Sequence, residues 1–148
     1  MSWLSSLIDY GIIGLLGILS AIAVAVAIER VFAYRRVKFD EYESVKELEL
    51  ALSDKLSIVA SIASNAPYLG LLGAVCGIML TFYEMGQNSS IDTGRIMIGL
   101  ALALKATAIG LLVALIAVTI YNFLQRKCRV LTLRFEIENE RGNGRQTV

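Results

Sequence analysis

The sequence predicts an all-α membrane protein with three transmembrane helices, the second and third long enough to extend into the cytoplasm. Three observations lead there. The stretch from Ile96 to Gln125 carries a single charge, Lys105; as a helix it would reach roughly 45 Å, beyond the roughly 30 Å hydrocarbon core of a bilayer. Two further runs, 11–28 and 56–83, carry no charge at all. Of 148 residues, 56% are hydrophobic, and they come in runs too long for a soluble core. One membrane domain is expected to cover 1–148.

The composition excludes several function classes. There is no histidine, which removes the commonest general base and the commonest zinc ligand. A net charge of +1 gives no reason to expect nucleic-acid binding. Cys76 lies inside an apolar run and Cys128 in a basic segment past another; at different depths they would not form a disulfide. No nucleophile with a neighbouring base, phosphate loop or metal cluster is present, so no enzymatic activity, cofactor or metal is expected.

The first transmembrane helix is placed at about 11–28. Before it, Met1 to Tyr10 has no lysine or arginine and so lacks the basic start of a cleaved signal peptide. Trp3 and Tyr10 suit a membrane interface. Gly14, Gly17, Ala21 and Ala25 form a stripe of small residues, which predicts packing on another helix. Arg30, Arg35, Arg36 and Lys38 follow directly. By the positive-inside tendency that end is cytoplasmic and the N-terminus lies outside.

A cytoplasmic helical segment is expected over 29–60. Within it Tyr42, Val45, Leu48 and Leu52 are spaced for one apolar helical face, a short amphipathic helix. Ser53-Asp54 then reads as the N-cap of the second long helix, whose transmembrane part is about 62–85. That helix holds Pro67, the chain's one proline, followed by Gly70, Gly73 and Gly77. Proline in a membrane helix frees a carbonyl that neighbours must help satisfy, and glycines allow the close approach; a kinked, tightly packed helix is predicted. The glycines have phosphate-loop residue types, yet no basic residue follows them and packing is the better reading.

An external turn is expected at 86–94, with Gln87-Asn88-Ser89-Ser90 and no basic residue before Arg95. The third transmembrane helix is placed at about 96–124, and Arg126, Lys127, Arg129 and Arg134 mark its cytoplasmic end. The tail 125–148 is cytoplasmic. From Asn139 it is polar, contains Gly142 and Gly144, and is expected to be disordered.

On the third helix Ala103, Thr107, Gly110, Ala114, Ala117 and Tyr121 step by four, three, four, three and four, one narrow stripe. It should face protein or a narrow channel. Thr107 has two readings: its hydroxyl bonds back to a carbonyl one turn earlier, or it serves a polar path. Lys105 costs on the order of 2.5–3.5 kcal/mol at mid-membrane unless paired or snorkelling. Two residues along a helix is about 200° of rotation, so it points nearly opposite Thr107. Lys105 either reaches outward toward Glu84 or Asp92, or touches an acidic partner helix.

Residues Ser64-Asn65-Ala66-Pro67-Tyr68-Leu69-Gly70-Leu71-Leu72-Gly73-Ala74-Val75-Cys76-Gly77-Ile78-Met79 resemble the second-helix signature of the ExbB/TolQ/MotA proton-channel family. Ala106-Thr107-Ala108-Ile109-Gly110-Leu111, with Ala117 and Tyr121-Asn122, resembles its third-helix motif, and Glu29-Arg30 the end of its first helix. The resemblance is closest to a short ExbB. It implies a homopentamer around a central pore that holds an ExbD-type one-helix partner bearing the titrating aspartate. Proton flow would then energise a TonB-type protein for outer-membrane uptake, from the bacterial inner membrane and in contact with its lipids.

The same resemblance makes Thr107 a pore hydroxyl, with Thr81 and Ala74 on the proton path. Pro67, Gly70, Gly73, Gly77, Gly110 and Ala114 would set helix geometry, and Lys105 is the intramembrane charge. The pattern also departs from the family. Ala74 stands where a threonine is usual, Thr81 lies about two turns farther outward, and Leu102 stands where a glutamate is common. The cytoplasmic region is also shorter. The alternatives are a TolQ-like subunit of a Tol-Pal motor and a non-conducting structural or regulatory membrane subunit whose stripes serve packing alone.

Overall fold

A computed structural model describes residues 2–39, 42, 44–87 and 93–146, with the side chains of 10–39, 42, 44–87 and 93–141. Four helices follow one another: α1 (Ser2–Arg35), α2 (Val45–Ser53), α3 (Leu56–Gln87) and α4 (Thr93–Gln146). Three of them, α1, α3 and α4, are long and apolar enough to cross a membrane. No strand occurs among the described residues, so the predicted all-α architecture holds.

Helix α1 runs antiparallel to α3 and parallel to α4. Ile12 meets Gly73 near one end, while at the other Tyr34 packs with Leu52, Leu124 and Cys128. The buried face of α1 is Leu16, Ala23, Val26, Arg30 and Tyr34. The stripe of Gly14, Gly17, Ala21 and Ala25 is exposed, and a Cβ on Gly14 or Gly17 would meet nothing within 4 Å. Within one chain, then, α1 packs through its larger residues, which fill the groove between α3 and α4 that small ones would leave empty.

The apolar core has two parts. Leu16, Ala23, Ile62, Ala66, Val113 and Ala117 form one where the three long helices meet. Tyr34, Leu48, Leu52, Leu56, Leu124, Cys128 and Phe135 form the other, around α2. A nine-residue helix is marginal alone. What holds α2 is the burial of Leu48 and Leu52, each contributing on the order of 1.5–3 kcal/mol, and the Ser44 hydroxyl, which accepts from the Glu47 N–H at 3.2 Å.

Two terminations differ from the sequence reading. Ser53 is the last residue of α2 and Asp54 its C-cap, with the Asp54 N–H donating to the Leu50 carbonyl at 3.1 Å; the N-cap expected there for α3 is not formed. Ser53 instead donates to the Leu50 carbonyl, and Lys55, at φ 62°, turns the chain into α3. At the other end α4 continues as helix to Gln146 where disorder was expected from Asn139. Extending a helix already nucleated costs far less than starting one, and Glu140, Arg141 and Arg145 in this stretch help to offset its two glycines. Part of the turn expected at 86–94 is helix too, at Gly86, Gln87 and from Thr93; its centre lies outside the described residues.

Candidate functional site

The site is the seam between α3 and α4. Gly70 and Gly110 face each other with their backbones in contact. A Cβ on Gly110 would fall 2.8 Å from both the Ala66 carbonyl oxygen and the Gly70 Cα. One on Gly70 would lie 2.9 Å from the Ala106 carbonyl oxygen and 3.1 Å from the Gly110 and Thr107 Cα atoms. Farther along, Gly73 packs on Ala106, and Gly77 on Ala103. Small residues on both helices bring the axes close enough for dispersion to act along the whole contact.

At this crossing the Thr107 hydroxyl donates to the Gly70 carbonyl at 3.3 Å. That resolves one expectation: the hydroxyl does not bond back within its own helix. Two other intramembrane threonines do. Thr81 donates to the Gly77 carbonyl at 2.9 Å and Thr119 to the Leu115 carbonyl at 2.7 Å, each four residues back. Thr107 alone among these three bridges two helices, because Gly70 and Gly110 leave its backbone near enough.

The remaining predicted residues lie at different distances from the seam. The predicted stripe of α4 is its protein-facing side: Ala103, Gly110 and Ala117 are buried, and Thr107, Ala114 and Tyr121 half-buried. Ala74 is buried, and Ala114 packs on the central core. Thr81 is half-buried against Gly99. Pro67 is half-buried, and α3 passes through it as one unbroken helix. Lys105 is exposed, as its rotation away from Thr107 requires; Asp92, one acid it was expected to reach, lies outside the described residues.

A second constellation was missed by the sequence reading. Glu29-Arg30 at the end of α1 meets Asp54-Lys55 at the α2–α3 turn. Arg30 is 7% exposed; its guanidinium donates to Asp54 Oδ2 at 2.5 Å and to the Ala51 carbonyl at 3.1 Å. Lys55 donates to Glu29 at 2.5 Å. The Tyr34 hydroxyl donates to the Leu52 carbonyl at 2.8 Å. Lys55 holds a left-handed conformation that costs a non-glycine residue roughly 1 kcal/mol, and its ion pair helps to keep it there. The signal was present as two acid–base dipeptides in the same order, each beside an apolar run, which an antiparallel approach pairs crosswise.

In comparison with known proteins, residues 40–137 match the MotA/TolQ/ExbB proton channel family. That range contains α2, α3 and the seam. The chain is 53% identical over 134 residues to an ExbB-like biopolymer transport protein of Helicobacter pylori, covering 90% of this chain and 89% of the relative. It is 51% identical over 136 residues to the biopolymer transport protein ExbB of Aquifex aeolicus, covering 92% of both. To the ExbB of Neisseria gonorrhoeae it is 40% identical over 77 residues, 52% of this chain but 35% of that longer protein. The Helicobacter pylori and Aquifex aeolicus relatives are thus matched over nearly their whole length.

Proposed function

Because this chain belongs to the MotA/TolQ/ExbB proton channel family, we propose that it is the ExbB-like subunit of a proton-driven motor in the bacterial inner membrane. Five copies surround an ExbD-type helix, and proton passage moves that helix to energise a TonB-type protein for outer-membrane uptake. The observation that carries the reading is the α3–α4 seam, which lies inside the matched range and joins its two motifs through the Thr107–Gly70 bond. The ExbB names of relatives similar over nearly their whole length favour ExbB over TolQ.

The chemistry of the chain supports a partner. Residues 11–28, 62–83 and 96–124 contain no carboxylate and Glu84 lies at the outer end of the second span, so this chain brings no acid at mid-membrane to take up and release protons. A carboxylate from a second protein supplies it, and this chain supplies the wall. Large apolar side chains such as Leu72, Met79, Leu104 and Leu115 are exposed, and these cover themselves with lipid or with neighbouring copies. The Arg35–Lys38 and Arg126–Arg134 clusters set the cytoplasmic side, with the N-terminus periplasmic.

Native mass spectrometry of the complex, purified gently after co-expression with a one-helix partner bearing a membrane aspartate, tests this reading. Five copies with the partner retained are expected. A monomer or dimer that never retains it would favour a non-conducting structural subunit. A second test addresses Thr107. Thr107→Val removes one neutral hydrogen bond worth about 0.5–1.5 kcal/mol and keeps the side chain's shape, so assembly should survive. Proton-dependent uptake is expected to fall severalfold, and Thr107→Ser to restore it; unchanged uptake in Thr107→Val would remove the hydroxyl from the proton path.

A further inference from the structure

Beside the charged corner, α1 and α4 enclose a groove of about 210 Å³ that neither the seam nor the ion pairs use. Its walls are apolar: Val31 and the Tyr34 ring on α1, Phe123, Val130 and Leu131 on α4. Its rim is cationic: Arg35, Lys127 and Arg134. Helical spacing gathers these residues. Phe123, Lys127, Leu131 and Arg134 step by four, four and three along α4, and Val31 and Arg35 by four along α1.

The rim differs from Arg30 and Lys55 nearby. Arg30 and Lys55 are neutralised by Asp54 and Glu29. Arg35, Lys127 and Arg134 have no carboxylate partner among the described residues; Lys127 sits 5.7 Å from the centre of the Phe123 ring. The groove thus joins an apolar slot to three positive charges that have no carboxylate partner among the described residues. On the membrane placement proposed above, Phe123 lies at the inner edge of the hydrocarbon and Lys127 about 6 Å beyond it, at headgroup depth.

We propose that this groove binds one anionic phospholipid per chain, its phosphate among Arg35, Lys127 and Arg134 and an acyl chain along Phe123 and Val31. The charge selects the ligand class, since a zwitterionic lipid returns a positive group to a rim that is already positive. The slot selects a lipid over a free anion, since inorganic phosphate leaves the apolar walls wet. By bridging α1 and α4 the lipid fixes the outer helix to the seam helix at the point where both leave the membrane.

The test is native mass spectrometry of the intact, delipidated complex titrated with dioleoyl phosphatidylglycerol, and in parallel with dioleoyl phosphatidylcholine and with inorganic phosphate. Saturable binding of phosphatidylglycerol, one per chain, is expected. Each rim cation removed should weaken it about fivefold, the effect of one basic residue near an anionic surface, so Lys127→Gln with Arg134→Gln should weaken it by an order of magnitude or more. Arg126→Gln with Arg129→Gln removes the same charge from α4 outside the groove and should leave the affinity within twofold.

Equal binding of both lipids, equal loss in the two double variants, or binding of phosphate as tight as that of lipid would overturn the proposal. So would a change in copy number in the rim variant without a change in lipid affinity, which would make the groove a contact between copies. None of these readings depends on proton flow or on the partner, so the lipid site and the motor function stand or fall separately.

Discussion

Gly110→Ala is expected to destabilise the assembly by about 1–3 kcal/mol, and Gly110→Leu to prevent its formation. The added Cβ would come within 2.8 Å of the Ala66 carbonyl oxygen and the Gly70 Cα, both backbone atoms. Nothing there can rotate away, so α3 and α4 must separate, and the Thr107–Gly70 bond of 3.3 Å lengthens with them. Gly17→Ala is the internal control. Its Cβ would meet nothing within 4 Å, and alanine favours a helix by up to about 1 kcal/mol over glycine, so the change should be neutral or slightly stabilising. Thermal unfolding of both variants in detergent, followed by the retained copy number, separates them. Equal losses would mean that the outer face of α1 is as closely covered in the assembly as the seam is.

These two glycines also show what the sequence reveals and what it withholds. Both belong to stripes of small residues at helical spacing, and spacing alone predicts packing for both. The stripe of α4 meets α3, while that of α1 faces outward within the chain, because periodicity gives a face but no partner. The three long helices were legible because thirty residues with one charge admit few other structures in a chain this apolar. Their ends were less so. Ser53-Asp54 has the residue types of an N-cap, and only the three-dimensional pairing of Asp54 with Arg30 makes it the end of α2 instead. The exposure of Lys105 followed from helical rotation, whereas the bond from Thr107 to α3 did not, since it depends on how near two backbones come.

The charged corner should be coupled as a unit, and Arg30 is its centre. Arg30→Met removes the guanidinium that serves both the Ala51 carbonyl and Asp54, freeing the turn between α2 and α3 from α1. Breaking a fully buried ion pair from one side costs about 3–5 kcal/mol. The side chain of Asp54 is 64% exposed, and water can take over its solvation, so a loss of about 1–3 kcal/mol is expected from Arg30→Met. Asp54→Asn leaves the buried guanidinium without its counter-charge and should cost a similar amount. In the double variant the two losses should not add, because both report on one contact. Unfolding midpoints of the wild-type, single and double variants give the coupling directly. Additive losses would mean that the pair contributes nothing and that α2 is held by Leu48, Leu52 and its Ser44 cap without it. Non-additive losses would make Glu29-Arg30 the clamp through which α1 holds the α2–α3 turn, and Lys55, with its positive φ and its own bond to Glu29, the residue whose strain that clamp sustains.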